Sequence, residues 1–280
     1  MQKTQPTGFG RTCNVAEGIS IAERGRGESG PVESNERLFM QLLVFDAGPD
    51  VDEAVLTGAL QQADMHGVLY ADVLHARRVG LLTWARDPAW FVADLRPFLN
   101  AAPFGDLALQ PAYTMTGRTY AIGYESDLEE VLLRRPVRHA TTEAWPWAVW
   151  YPLRRKGTFV TEPAEEQRRM LMEHGGIGMA YGRADHAHDI RLACHGLDAN
   201  DNDFVVALVG RELAPLSKVV EHMRKTKQTS EYMDHMGPFF VGHAVWQQPA
   251  SRGAADQDAA GQDAAGQGAA GQGAASNAPR

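Results

Sequence analysis

Two cysteines, Cys13 and Cys194, are all that the 280 residues contain. That scarcity excludes a disulfide-stapled scaffold and any cysteine-rich metal centre. Long apolar runs are missing as well: none approaches the roughly 20 residues needed to span a bilayer. The stretch from Met1 to Gly30 is polar and lacks the apolar core of a secretory signal. Positive charge is in short supply, with 27 Lys and Arg against 35 Asp and Glu and a formal net charge of -8. Nucleic acids and anionic membranes both require a basic face, so neither is expected as the main partner. A soluble, cytoplasmic protein is the expectation.

Apolar residues are present at 44%, the level of a globular protein, and the length suits one large domain or two ordinary ones. Both ends differ from the middle. Residues 1–35 mix Gly, Ser, Glu and Arg without a period, which predicts a mobile arm. Residues 249–280 fall into an Ala-Ala-Gly-Gln repeat with no large apolar side chain to bury, which predicts a disordered tail.

The middle states one pattern twice. Leu38 to Phe45 reads as an apolar strand, and Pro49-Asp50 opens a helix carrying Val51, Val55 and Leu56. Gly67 to Leu74 and Gly80 to Trp84 read as paired strands, Asp87-Pro88 starts a second helix, and a strand from about Leu107 to Met115 closes the unit. In the second half, a Trp-rich strand from Ala144 to Leu153 precedes a helix from Glu162-Pro163 to about His174. Strands over Asp189–His195 and Phe204–Val209, a helix from Glu212 to about Lys227 and a strand over Phe239–Trp246 complete it. Strand, helix, strand, strand, helix, strand is the ferredoxin-like order. Two such repeats, over 36–143 and 144–248, predict an α+β protein fused into one barrel-type subunit of the dimeric α+β barrel kind.

Several clusters are candidates for chemistry. Trp145, Trp147 and Trp150 stand just ahead of Arg154, Arg155 and Lys156. They can line a flat apolar pocket with cations at its mouth, or fill the core with the cations solvated. His174, followed by Gly175 and Gly176, is expected at a helix C-terminus, either as a cap residue or as an axial ligand to a metal or haem. His186 and His188 are spaced for one strand face and a metal, yet their flanks read as a surface loop. Asp198 to Asp203 begins like a calcium loop, but the sixth position is Asp203 rather than Gly and the twelfth is Val209 rather than Glu. Gly123, Gly175 and Gly178 form no phosphate-cradling loop.

Together Tyr151-Pro152-Leu153, Met170 through Gly175, Tyr181, Met223-Arg224 and Gly237 through Gly242 resemble the chlorite dismutase superfamily, and most closely its coproheme decarboxylase branch. The resemblance covers roughly Arg37 to His243. It implies an oligomeric, often pentameric, α+β barrel holding haem b or coproheme in the C-terminal half. His174 is then the iron ligand and Tyr151 the radical-forming residue. Arg155 pairs with a propionate, and Leu153, Thr229 and Ala187 line the tetrapyrrole site. The implied reaction converts coproheme to protohaem with hydrogen peroxide. Chlorite dismutases carry an Arg thirteen residues after the axial His, where this chain has Ala187, which argues against chlorite chemistry. The distal His of the related decarboxylases has no single match, because counting lands on Arg134 while His139 lies nearby. A haem-binding or haem-sensing protein without catalysis, and a weak haem peroxidase or chlorite-degrading enzyme, are the alternatives. His195, beside Cys194, is the rival iron ligand.

Overall fold

The computed structural model describes residues 19–48 and 51–248. The Ala-Gly-Gln tail, most of the N-terminal arm and Pro49-Asp50 lie outside them. The first half contains β3 (Phe39–Asp46), α1 (Glu53–Gln62), β4 (Val68–Asp72), β5 (Arg78–Ala85), α2 (Arg96–Asn100) and β7 (Met115–Thr119). The second contains β8 (Trp147–Arg155), α4 (Ala164–Arg183), β9 (His188–Ala193), β10 (Phe204–Gly210), α5 (Leu213–Met223) and β12 (Phe240–Gln247). Short strands β6 (Ala108–Leu109) and β11 (Met233–Met236) add to the edges of β3 and β8.

The pairing proves the duplication. In the first half the strands lie in the order β7-β3-β5-β4, and in the second β9-β10-β8-β12. Each half thus sets its first strand between its third and its fourth. The halves meet along two seams, β4 with β12 and β7 with β9, so eight antiparallel strands close into a barrel. Closure removes the exposed edges of an open sheet.

Alternation sorts the side chains between two sides. Met40, Leu42, Trp84, Trp150, Ile190 and Val205 point into the barrel and are almost fully buried. Each contributes about 1.5–3 kcal/mol by leaving water. Phe45, Leu69 and Leu81 point outward in the first half and pack under Leu56 and Leu60 of α1. Val149, Tyr151, Leu153 and Leu208 do the same in the second half, beneath Ile177 and Tyr181 of α4 and Leu216 and Val219 of α5.

Four expectations change. The arm is partly ordered: β1 (Glu23–Gly27) and β2 (Gly30–Ser34) form a hairpin. Glu23 accepts from Arg118 at 2.7 Å and from the backbone of Ala121 at 3.0 Å, and Arg26 N–H donates to Glu125 O at 2.8 Å. Polar contacts and the single packed side chain of Val32 hold it, too few apolar positions to announce it as a hydrophobic period. The strand expected over 107–115 is broken at Pro111, which lacks an N–H, and the pairing strand is β7. The helix expected over 212–227 splits into α5 and α6 (Lys227–Tyr232), with Thr226 capping the second by accepting from Thr229 N–H. Most consequentially, α4 does not stop at His174. It runs through Gly175 and Gly176 to Arg183, because Met170, His174, Ile177 and Tyr181 form a continuous stripe at helical spacing that packs inward. His174 is therefore a mid-helix residue and caps nothing. A helix unassigned by sequence, α3 (Arg135–Thr141), entered through a π turn over Glu130–Arg134, links the halves and adds Leu132, Val137 and Ala140 to the barrel core.

Candidate functional site

The outward face of β8, β9 and β10 is where apolar surface and charge coincide. Register places Arg191, Val206 and Tyr151 in one row across these strands, with Ala193, Phe204 and Leu153 in another. Period-2 alternation carries Arg155 onto the same face as Tyr151 and Leu153. Helix α4 passes over β9 and presents His174.

Tyr151 is buried, and its ring stacks on Phe239 with centroids 4.7 Å apart. Its hydroxyl has no protein hydrogen-bond partner among the described residues. Burial pushes the phenol above its ordinary pKa, Asp189 adds to the rise, and Arg224 opposes it. Arg155 lies with its guanidinium 4.3 Å from the Phe159 ring centre and 5.1 Å from that of Phe204. Its backbone N–H donates to Asp203 Oδ2 at 2.7 Å, while its buried Nε has no partner. Guanidinium ions keep their charge when buried, so this cation sits among aromatic rings with an unused donor. Burial, followed by the positive charges of Arg155 and Arg191, holds the His174 imidazole below its ordinary pKa. Its Nδ1 is buried and unpartnered. A neutral ring with an unused buried nitrogen is a ready donor to a metal.

Other groups frame the face. Arg191 pairs with Asp189 at 3.0 Å and lies 5.9 Å from the Tyr120 ring centre. Among them these side chains offer a neutral imidazole, a phenol, two guanidinium ions and an apolar floor. That set suits a flat apolar ligand carrying carboxylates and a metal.

The family model for chlorite dismutase matches residues 79–245. The chain belongs to the chlorite dismutase family. Solved structures agree on the fold. A haem-binding protein from Thermus thermophilus superposes with a TM-score of 0.59 at 18% identity, over 80% of this chain and 96% of that one. A chlorite dismutase from Candidatus Nitrospira defluvii, in complex with imidazole, gives 0.56 at 14% identity over 80% and 96%. No curated protein matches the chain in sequence.

In this family member the expected site residues divide. Tyr151, Leu153 and Ala187 share one buried apolar cluster, and Arg155 and His174 adjoin it. Thr229 is buried outside that apolar cluster, on α6, which packs against α4; its hydroxyl accepts from that of Thr226. The three tryptophans split between both readings. Trp150 fills the barrel, Trp147 packs on the outer face, and Trp145 stacks on His188 at 3.7 Å. His188 is further engaged by Asp185 at 2.9 Å. No group of three or more His, Cys, Asp or Glu able to hold a metal occurs among the described residues. Neither distal candidate faces Tyr151 as a free acid or base: Arg134 is half-exposed and paired with Asp127 and Glu129, and His139 is buried with its Nδ1 bonded to the Asp189 carbonyl. His195 is exposed, 3.3 Å from Asp203.

Arg191 and Tyr120 belong to no motif singled out in the sequence. A signal for Arg191 existed: Asp189 and Arg191 alternate with the buried Ile190 and Leu192. Polar alternate positions on a strand are ordinarily read as solvent-facing; Asp189 is indeed exposed, but Arg191 is partly covered on the side where α4 crosses β9.

Proposed function

We propose that the chain binds haem or coproheme between α4 and the outer face of β8 to β10, and that it decarboxylates coproheme with hydrogen peroxide. One observation carries the reading: a buried, unpartnered phenol lies on the same covered face as two orphaned buried nitrogens, Arg155 Nε and His174 Nδ1. Buried polar atoms are normally satisfied, so these two mark groups that await a ligand. A metal-bearing tetrapyrrole with carboxylate arms fits both.

His174 would ligate the iron, and Arg155 would hold a propionate through its planar donors. Bound iron porphyrin supplies the site with the oxidising power of peroxide. Tyr151, after its phenol has lost one electron and one proton to that oxidant, would take a hydrogen atom from the propionate carbon next to the ring and so regain its O–H. Loss of a second electron and of carbon dioxide leaves a vinyl group. Overall, propionate, hydrogen peroxide and one proton give vinyl, carbon dioxide and two water molecules. The apolar floor of Leu153, Val206 and Leu208 would exclude water from that carbon.

A second reading is supported by Ala187. It is buried and bears only a methyl group where chlorite dismutases carry an Arg, and no distal His is matched in its place. That favours a haem-binding protein without turnover. Coproheme is added to the protein, peroxide is titrated in and product masses are followed. Two successive losses of carbon dioxide establish the enzyme; bleaching without them establishes the binder. We also propose that the protein assembles as a homo-oligomer. No helix among the described residues is long and apolar enough to cross a membrane.

A further inference from the structure

A second tyrosine on the covered face has what Tyr151 lacks. The Tyr181 hydroxyl and His222 Nδ1 lie 2.9 Å apart, bridging α4 to α5, and in the tautomer that carries its proton on Nε2 the imidazole accepts from the phenol. The two rings lie 5.7 Å apart, nearly perpendicular. We propose that Tyr181 and His222 form a redox-active pair, in which oxidation of the phenol is coupled to transfer of its proton to the imidazole.

Three features support it. Phenol oxidation without proton loss leaves a high-energy cation radical, so a base already bonded to the hydroxyl lowers the barrier. His222 occupies the last turn of α5, where the carbonyl end of the helix favours positive charge. Tyr181 also lies on the same stripe of α4 as His174, two turns further on and about 10 Å along the axis. It packs against the cluster that contains Tyr151.

The step balances simply. One electron leaves the Tyr181 ring for a one-electron oxidant. The O–H bond breaks, and its proton joins His222 Nδ1, leaving a neutral phenoxyl and an imidazolium. One electron from a reductant returns the proton and restores the pair. On the reading above, hydrogen peroxide acting at the His174 face is the source of oxidising equivalents. The pair itself does not depend on that reading.

The test therefore uses the full chain without haem. Hexachloroiridate(IV) is added as oxidant, the mixture is freeze-quenched, and the phenoxyl signal is read by electron paramagnetic resonance. Tyr181→Phe should remove most of the signal. His222→Gln keeps a hydrogen-bond acceptor but cannot hold a proton, and loss of the charge-assisted bond in the product should lower the yield about tenfold or more. Circular dichroism checks that both variants fold. Where Tyr181→Phe does not fold, the solvent deuterium isotope effect on radical formation substitutes: slowing in the wild-type chain that disappears in His222→Gln supports the pair. An undiminished signal in Tyr181→Phe assigns the radical to another tyrosine, such as exposed Tyr124, and overturns the proposal. A wild-type yield in His222→Gln, or no difference in isotope effect, overturns it too.

Discussion

Replacing Tyr151 with Phe removes one oxygen from a ring that is 6% exposed and stacked on Phe239. The stack and the ring volume survive, so no cavity forms. Had the hydroxyl bonded another side chain, its loss would cost about 1 kcal/mol. It bonds none among the described residues, and its oxygen is not one of the fully buried orphaned atoms, so removing it neither breaks a protein hydrogen bond nor relieves an unsatisfied one. The expected change for the ligand-free protein is therefore close to neutral, within about 1 kcal/mol, or about 2–4 °C in midpoint for a chain of this size. Coproheme binding should stay within a few-fold, because Arg155 and His174 are untouched. Decarboxylation should fall by orders of magnitude, since phenylalanine has no O–H to lose. Thermal unfolding, coproheme titration and single-turnover peroxide addition with mass detection measure the three quantities on one preparation. Turnover at the wild-type rate refutes the radical role. A midpoint several degrees lower refutes the account of an unpartnered hydroxyl.

Further expectations follow from other residues. His174→Ala should abolish the imidazole signature in the spectrum of the haem-loaded protein; an unchanged spectrum transfers the ligand role to His186, His188 or His195. His139 is held at a pKa of about 4, chiefly by burial, so the folded state favours its neutral ring. Its contribution is present above the unfolded pKa near 6.5 and is lost as pH falls through about 4, up to about 3 kcal/mol. His139→Gln should flatten denaturant midpoints across that window, and an identical pH profile in the variant would contradict the assignment. Deleting residues 1–35 should lower the thermal midpoint by several degrees relative to deleting 1–18, because the hairpin supplies Glu23 to Arg118 and Ala121. Gly25→Ala should be destabilising as well, since an added Cβ would collide with the backbone oxygen of Glu125; equal midpoints would show that the hairpin adds nothing.

What the sequence disclosed followed its hydrophobic periods. The eight barrel strands alternate or are continuously apolar, and both ferredoxin-like repeats could be traced from them, apart from β7, where Pro111 displaced the strand. Elements held by polar contact escaped, as with the β1–β2 hairpin. Glycine misled the reading of α4: two consecutive glycines look like a terminus, yet the stripe of Met170, His174, Ile177 and Tyr181 carries the helix two turns further. Of the candidate site, motifs singled out Tyr151, Arg155 and His174, which the fold brings close together. Arg191 was hidden because strand alternation cannot distinguish a face open to water from one roofed by a helix.

The two seams also bear on synthesis. β4 has β5 on one flank, and its other flank is taken by β12, the last strand among the described residues. β7 likewise waits for β9. Until β9 and then β12 emerge, the completed first repeat carries open edges at β7 and β4 whose N–H and C=O groups can pair with any extended chain nearby. Neither repeat is sealed alone, so the nascent protein spends most of its translation with its sheet unfinished and depends on the arrival of β12 to become safe from its neighbours.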